Sequence, residues 1–183
     1  MALEYFTLAH VLISLVGIAA GFGALAGLLA GQIFQRWTQW HLGGTLLTCV
    51  TGFFFPFRGF TPAIGVGMLS IVLLAAAFYA LYFRHLFGIW RTVFVVGSVG
   101  ALYFNFFVLV AQLFQKMPVL QRLAPTQSEP PFAVSQLLVL ATFLYLGYAA
   151  LKRLPATELI SGDHGWCDAA AIERRREMCQ PPS

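Results

Sequence analysis

Residues Ile89 to Lys116 read IWRTVFVVGSVGALYFNFFVLVAQLFQK, a segment long and apolar enough to cross a bilayer. Polar residues nevertheless recur along it at intervals of seven, at Arg91, Ser98, Asn105 and Gln112. Because seven residues fall just short of two helical turns, these four side chains lie nearly above one another on one face. Exposing that face to lipid would be costly, so the pattern predicts that it faces protein, a ligand or water.

The composition of the whole chain is that of a membrane protein. Of its 183 residues, 59% are hydrophobic and 10% are charged, whereas a soluble domain usually carries about 25% charged residues. The net charge of +4 does not indicate nucleic acid, because the basic residues fall at the ends of apolar segments and in the C-terminal tail. The cysteines at 49, 167 and 179 form no CxxC or CxxCH motif, so no thioredoxin-like or c-type haem sequence is present.

Apolar segments of spanning length are found near residues 6–31, 40–57, 62–83, 90–115 and 132–151. We therefore predict an all-α, polytopic integral membrane protein with about five transmembrane helices in one bundle, over residues 1–151. The first segment lacks the basic n-region of a signal peptide and is expected to be a retained span. Residues 152–183 form a polar, basic tail in which Asp168 is a candidate cap for a short helix.

The basic residues predict an orientation. With five crossings, one side of the membrane carries more of them than the other. The richer side has Arg36, Arg84, Arg91, Lys152, Arg153 and Arg174 to Arg176, against Arg58, Lys116 and Arg122 on the poorer side. We expect a bacterial inner-membrane protein with its N-terminus outside and its tail in the cytoplasm, and Trp37, Trp40 and Trp90 fall at the same cytoplasmic interface.

The first span is predicted to be a packing helix. Gly17 and Gly21, and likewise Gly23, Gly27 and Gly31, are spaced four apart, which lets another helix backbone approach closely. His10 continues the Gly17/Gly21 face towards the outer surface. We interpret it as a hydrogen-bonding partner of a neighbouring helix or of interfacial water, with a ligand-binding role as the alternative.

The polar stripe of residues 89–116 has two interpretations. Asn105 lies near the middle of the membrane, where a buried amide is expected to fix packing through an interhelical hydrogen bond. The alternative is that Asn105, Gln112 and Ser98 line a cavity and contact a polar headgroup, a quinone or a substrate.

Two loops are predicted on the outer face, FPFRGFTP and LAPTQSEPP. Their prolines stiffen them, and Glu129 is placed to pair with Arg58 or Arg122 as an outer cap. Together these loops resemble those of a family of small, uncharacterised bacterial multi-pass inner-membrane proteins. The resemblance covers the membrane part of the chain and implies no activity.

Two histidines suggest a redox function. His41 and His85 are both expected at the inner ends of neighbouring segments, where they could ligate one haem or hold a chlorophyll-type pigment. Arg84 and Arg91, with Arg36, fall on the same side and could hold propionates. Against this reading, histidine is an ordinary residue at a membrane interface.

Other functional classes find less support in the sequence. The apolar segments contain no interior carboxylate, which disfavours an ion-coupled small-molecule transporter, and no catalytic motif indicates an enzyme. Asp163, His164, Cys167 and Cys179 make an incomplete ligand set, so no metal site is predicted. We expect a non-enzymatic accessory or scaffold subunit of a larger membrane assembly, or a self-associating one, with lipid or quinone bound between helices.

Overall fold

The computed structural model describes residues 2–54 and 62–154, and all the regular secondary structure in these ranges is helical. Arg58, Pro56 and the whole of the basic tail beyond Leu154 lie outside the described residues. The helices are α1 (Ala2–Leu29), α2 (Gln35–Phe53), α3 (Pro62–Phe78), α4 (Ile89–Lys116), α5 (Pro118–Leu123) and α6 (Pro130–Arg153). A π-helical turn, Tyr79–Phe83, continues α3.

Four stretches are long and apolar enough to cross a membrane. They are Glu4–Leu29, Ile64–Phe83, Ile89–Lys116 and Pro130–Arg153. Helix α2 is not one of them, because it includes Gln35, Arg36 and several threonines that lower its hydropathy. It also begins earlier than the apolar segment expected from residue 40, because the polar residues of its first turn are compatible with a helix.

Proline and glycine set the ends of several helices. Pro118 and Pro130 open α5 and α6, where a missing backbone N–H costs no intrahelical hydrogen bond. Gly88 precedes α4 with a φ of 57°, and Gly31 follows α1 with a φ of 75°, conformations that favour glycine. The turn at Gly88 returns the chain, so that α4 packs along α3.

Helix α4 is the element that contacts all the other helices. Gly97 brings its backbone against α3, because a Cβ there would lie 2.7 Å from the Leu73 carbonyl oxygen. A second face meets α6, where the rings of Tyr103 and Phe106 lie 5.9 Å and 5.8 Å from that of Phe143. The third face, which includes Ser98, packs on α1 and α2.

Helices α1 and α2 approach most closely where two glycines meet. A Cβ added to Gly44 would lie 3.1 Å from the Cα of Gly17, and one added to Gly17 would lie 3.3 Å from the backbone of Gly44. Contact between backbones at this distance is possible only with small residues on both helices. Gly43, the next residue along α2, points into open space.

This geometry predicts opposite outcomes for two adjacent glycines. Gly44→Ala should lower the free energy of unfolding by about 1–3 kcal/mol, because the new methyl group meets backbone that has to shift. Gly43→Ala should be neutral or slightly stabilising, because nothing lies within 4 Å and alanine favours a helix. Thermal unfolding of both variants in one detergent measures the difference. Equal destabilisation would contradict the described packing.

Candidate functional site

The imidazole of His41 lies where α1, α2 and α4 meet. Its side chain is 1% exposed. Nε2 lies 3.1 Å from the carbonyl oxygen of Ser98 on α4, and Nδ1 lies 3.2 Å from that of Gly17 on α1. One side chain of α2 therefore links the backbones of both neighbouring helices.

The partners of His41 limit where its proton sits. A neutral imidazole has a single N–H and can donate to only one of the two carbonyl groups. The hydroxyl of Thr45 lies 3.4 Å from Nδ1 and is free to donate to it. With the proton on Nε2, the ring donates to Ser98 and accepts from Thr45. The carbonyl of Gly17 then retains the α-helical bond from the backbone N–H four residues on.

Gly21 makes the room that the histidine occupies. A Cβ at this position would lie 2.7 Å from Nδ1 of His41 and 2.4 Å from Cδ1 of Leu102. The Gly17/Gly21 face expected from the four-residue spacing thus receives a histidine side chain as well as helix backbone.

His10 forms a second polar link between α1 and α2, about two to three turns farther along. Its Nδ1 lies 2.7 Å from Oγ1 of Thr51, and that hydroxyl also lies 2.8 Å from the carbonyl oxygen of Leu47. Because the hydroxyl donates its single proton to Leu47, it accepts from the N–H of His10.

The polar stripe of α4 falls into four different environments. Ser98 is buried and offers its carbonyl group to His41, whereas Gln112 is exposed. Asn105 is 9% exposed, and its Nδ2 has no hydrogen-bond partner in the described part of the chain. Arg91 donates to the carbonyl oxygen of Leu154, at the end of α6.

Arginines hold together the end of the protein where α1 and α6 finish. Arg153 donates to the carbonyl oxygen of Leu29, 3.0 Å away, and Arg91 donates to that of Leu154. Both acceptors are at helix C-termini, where carbonyl groups lack intrahelical partners and a cation is electrostatically favoured. The guanidinium of Arg84 lies 5.0 Å from the ring centre of Trp90, as a cation–π pair.

The two histidines of the tetrapyrrole hypothesis lie in unlike surroundings. His41 is buried with both ring nitrogens directed at protein atoms, while His85 is exposed in the turn before α4. Arg84 and Arg91 are engaged with Trp90 and Leu154. The structure thus gives His41, Arg84 and Arg91 structural partners, and haem or pigment binding stays a prediction.

Glu129, at the N-terminus of α6, organises the loop after α5. Its Oε1 accepts hydrogen bonds from the backbone N–H of Thr126 (3.2 Å) and from its hydroxyl (2.9 Å), and Oε2 accepts from the backbone N–H of Ser128 (3.1 Å). Arg122 is exposed and forms no ion pair with Glu129 among the residues described, and Arg58 lies outside them. The carboxylate therefore stiffens its own loop.

The same hydrogen bonds set the acidity of Glu129. Desolvation by the surrounding loop tends to raise its pKa, but the hydrogen bonds from its own backbone, Thr126 and Ser128 together outweigh that effect and hold the pKa below its ordinary value.

Several structural contacts had no clear signal in the sequence. Gln136 donates from Nε2 to the carbonyl oxygen of Phe107, 3.3 Å away, and links α6 to α4. The roles of Thr45 and Arg153 were likewise not expected. The position of Arg153 at the end of an apolar segment was a weak indication of its role, because arginines at such positions often bond to the carbonyl groups of helix C-termini.

Comparisons of the chain with protein families, with curated proteins and with solved structures find no match.

Replacing each of the two histidines by asparagine separates their roles. His41→Asn should lower the free energy of unfolding by about 1–3 kcal/mol, because the shorter side chain loses interhelical bonds in a buried site. His85→Asn should change it by about 0.5 kcal/mol or less, since the site is exposed and asparagine tolerates its positive φ of 46°. Denaturant titration in micelles makes the comparison, and equal effects of the two substitutions would be inconsistent with a buried clamp.

The acidity of Glu129 should depend on Thr126. Thr126→Val removes the hydroxyl donor and should raise the carboxyl pKa towards its ordinary value. Ser128→Ala should leave it unchanged, because Ser128 donates through its backbone. Carbon-detected NMR titration of the Glu129 side chain measures both variants, and a Thr126→Val titration curve identical to wild type would refute the hydrogen-bond explanation.

The sign of the pH effect follows from the lowered pKa. The carboxylate contributes its full stabilisation above the unfolded-state pKa of about 4.3, including neutral pH, and loses it as the pH falls through the lower folded-state value.

Proposed function

We propose that this protein is a non-enzymatic accessory or scaffold subunit of a bacterial inner-membrane assembly, with five spans, and with lipid or quinone bound in grooves between its helices. The proposal is supported by how polar side chains between the helices are used. His41, Gln136, Arg91 and Arg153 all bond to backbone carbonyls of neighbouring helices. Because these side chains hold the helices together, we infer that the protein acts through its outer surfaces.

Contacts along its full length favour α2 as the fifth span. His10 meets Thr51, Gly17 meets Gly44, and Gly23 meets the indole of Trp37. Since numbers rise along α1 as they fall along α2, the two helices run antiparallel. The 19 residues of α2 make a helix of about 28 Å, close to the thickness of a hydrocarbon core of about 30 Å.

The positions of the basic residues support the orientation that we propose for the protein in the membrane. Arg91 and Arg153 link the ends of α1, α4 and α6, and Arg84 lies in the turn beside them. This basic end is expected to face the cytoplasm, and the N-terminus, at the opposite end of α1, the outside.

Helix α6 is the surface that we assign to a partner. It is the least buried of the four candidate spans. Its outward face carries Leu137, Leu138, Leu144, Tyr145 and Tyr148, all of them more than half exposed. A partner helix seated on this row would bury apolar side chains that otherwise contact lipid.

A tryptophan at this face should separate a partner contact from a lipid contact. Leu138→Trp should reduce recovery of a partner by about tenfold or more, because a large ring disrupts helix packing but is tolerated by lipid. Leu138 is 64% exposed, and the control Leu12→Trp, at a residue of α1 that is 54% exposed, should leave recovery unchanged. Native mass spectrometry of tagged protein from its native host, in mild detergent, measures both. A lone monomer from the wild-type chain would contradict the proposal.

The rival functions have separate tests. Haem or pigment binding requires a Soret or red absorbance band in the purified protein, which His41→Asn should abolish. A transporter requires solute flux in proteoliposomes.

A further inference from the structure

A groove runs along the outside of α1 and the first turns of α2. Its volume is about 540 Å³, within the range of ligand-binding clefts. It is lined by Val16, Ala19, Ala20, Arg36, Trp37 and Trp40.

Small residues of α1 shape this groove. Gly23 allows the indole of Trp37 to lie directly on the helix, since a Cβ there would be 2.5 Å from the ring. Trp37 is 50% exposed and Trp40 is 66% exposed, so both indoles remain available as apolar walls. Indole side chains at a membrane surface favour the level of the headgroups, which places the groove across the boundary between headgroup and acyl chain.

The charge at the end of the groove lacks a counterpart in the part of the protein that the structure describes. At this end, Arg84, Arg91, Lys152 and Arg153 each have a ring or carbonyl partner. The side chain of Arg36 forms no ion pair or hydrogen bond with residues 2–54 and 62–154, which are the residues that the structure describes. The first turn of α2 contains no acidic residue, and Phe34 provides no side-chain cap, so nothing there neutralises the guanidinium.

We propose that this groove binds an anionic phospholipid, with one acyl chain against Val16, Ala19 and the two indoles and the phosphate on Arg36. The inference rests on the proposed topology, which puts Arg36 in the cytoplasmic leaflet, where anionic lipids are abundant. Charge complementarity selects this occupant over a zwitterionic lipid or a quinone, because neither brings a net negative charge to the guanidinium.

Two substitutions test the headgroup and the chain separately. Arg36→Gln removes the charge, Ala19→Phe fills the groove, and Arg84→Gln is the matched control, an exposed arginine at the same end that is already stacked on Trp90. Recombinant protein in detergent is titrated with phosphatidylglycerol or phosphatidylcholine of identical acyl chains, and bound lipid is counted by native mass spectrometry.

The wild type and Arg84→Gln should prefer phosphatidylglycerol by about fivefold or more. Arg36→Gln should bind both lipids equally, and Ala19→Phe should bind both more weakly. Equal binding of both lipids by the wild type, or an unchanged preference in Arg36→Gln, would overturn the assignment. Retained binding of both lipids by Ala19→Phe would overturn the placement of the acyl chain.

The lipid-binding result does not depend on whether the protein is a subunit of a larger assembly. Recombinant protein needs no partner to bind lipid, so a lone monomer from the native host together with a phosphatidylglycerol preference would refute the assembly proposal alone. A copurifying partner without that preference would refute the lipid site alone.

Discussion

The position of His41 constrains how three helices fit together. A polar ring that is 1% exposed needs hydrogen-bond partners inside the protein, because an unpaired buried group costs about 1–3 kcal/mol. Its Nε2 donates to the backbone carbonyl of Ser98 on α4, and its Nδ1, which accepts from Thr45, lies 3.2 Å from the carbonyl oxygen of Gly17 on α1. Sliding α4 along α2 by one residue would break the bond to Ser98, and sliding α1 would move Gly21 away from the imidazole, so the ring fixes the register of α1, α2 and α4.

The glycines near His41 are a consequence of this arrangement. Gly21 leaves space for the imidazole, and Gly17 with Gly44 lets the backbones of α1 and α2 come into contact beside it. At the basic end, Arg91 and Arg153 tie the ends of α1, α4 and α6 by the same means, a side-chain donor on a backbone acceptor. Packing in a membrane gains little from the hydrophobic effect, so close backbones and such bonds determine which helices pair.

The sequence predicted the coarse architecture but not these partners. Apolar length predicted the four helices that are long and apolar enough to span a membrane, although not the lower hydropathy of α2. Glycine spacing predicted that α1 packs closely, and both predictions follow from local pattern. His41 was assigned to the membrane interface from its place at the start of an apolar segment, since its burial depends on where α4 lies in three dimensions. Glu129 was matched to a distant arginine, whereas its partners Thr126 and Ser128 are its neighbours in the chain. Local hydrogen bonds in turns compete well with exposed ion pairs.

The central claim is that His41 joins α2 to α4 through its Nε2. Magic-angle-spinning NMR in lipid bilayers can measure the dipolar coupling between ¹⁵N-labelled Nε2 of His41 and the ¹³C-labelled carbonyl of Ser98. If Nε2 lies 3.1 Å from the carbonyl oxygen of Ser98, its coupling to the carbon of the same carbonyl group should be detectable, and the ring proton should be on Nε2. The absence of a coupling, with a ring proton that exchanges rapidly with water, would contradict it.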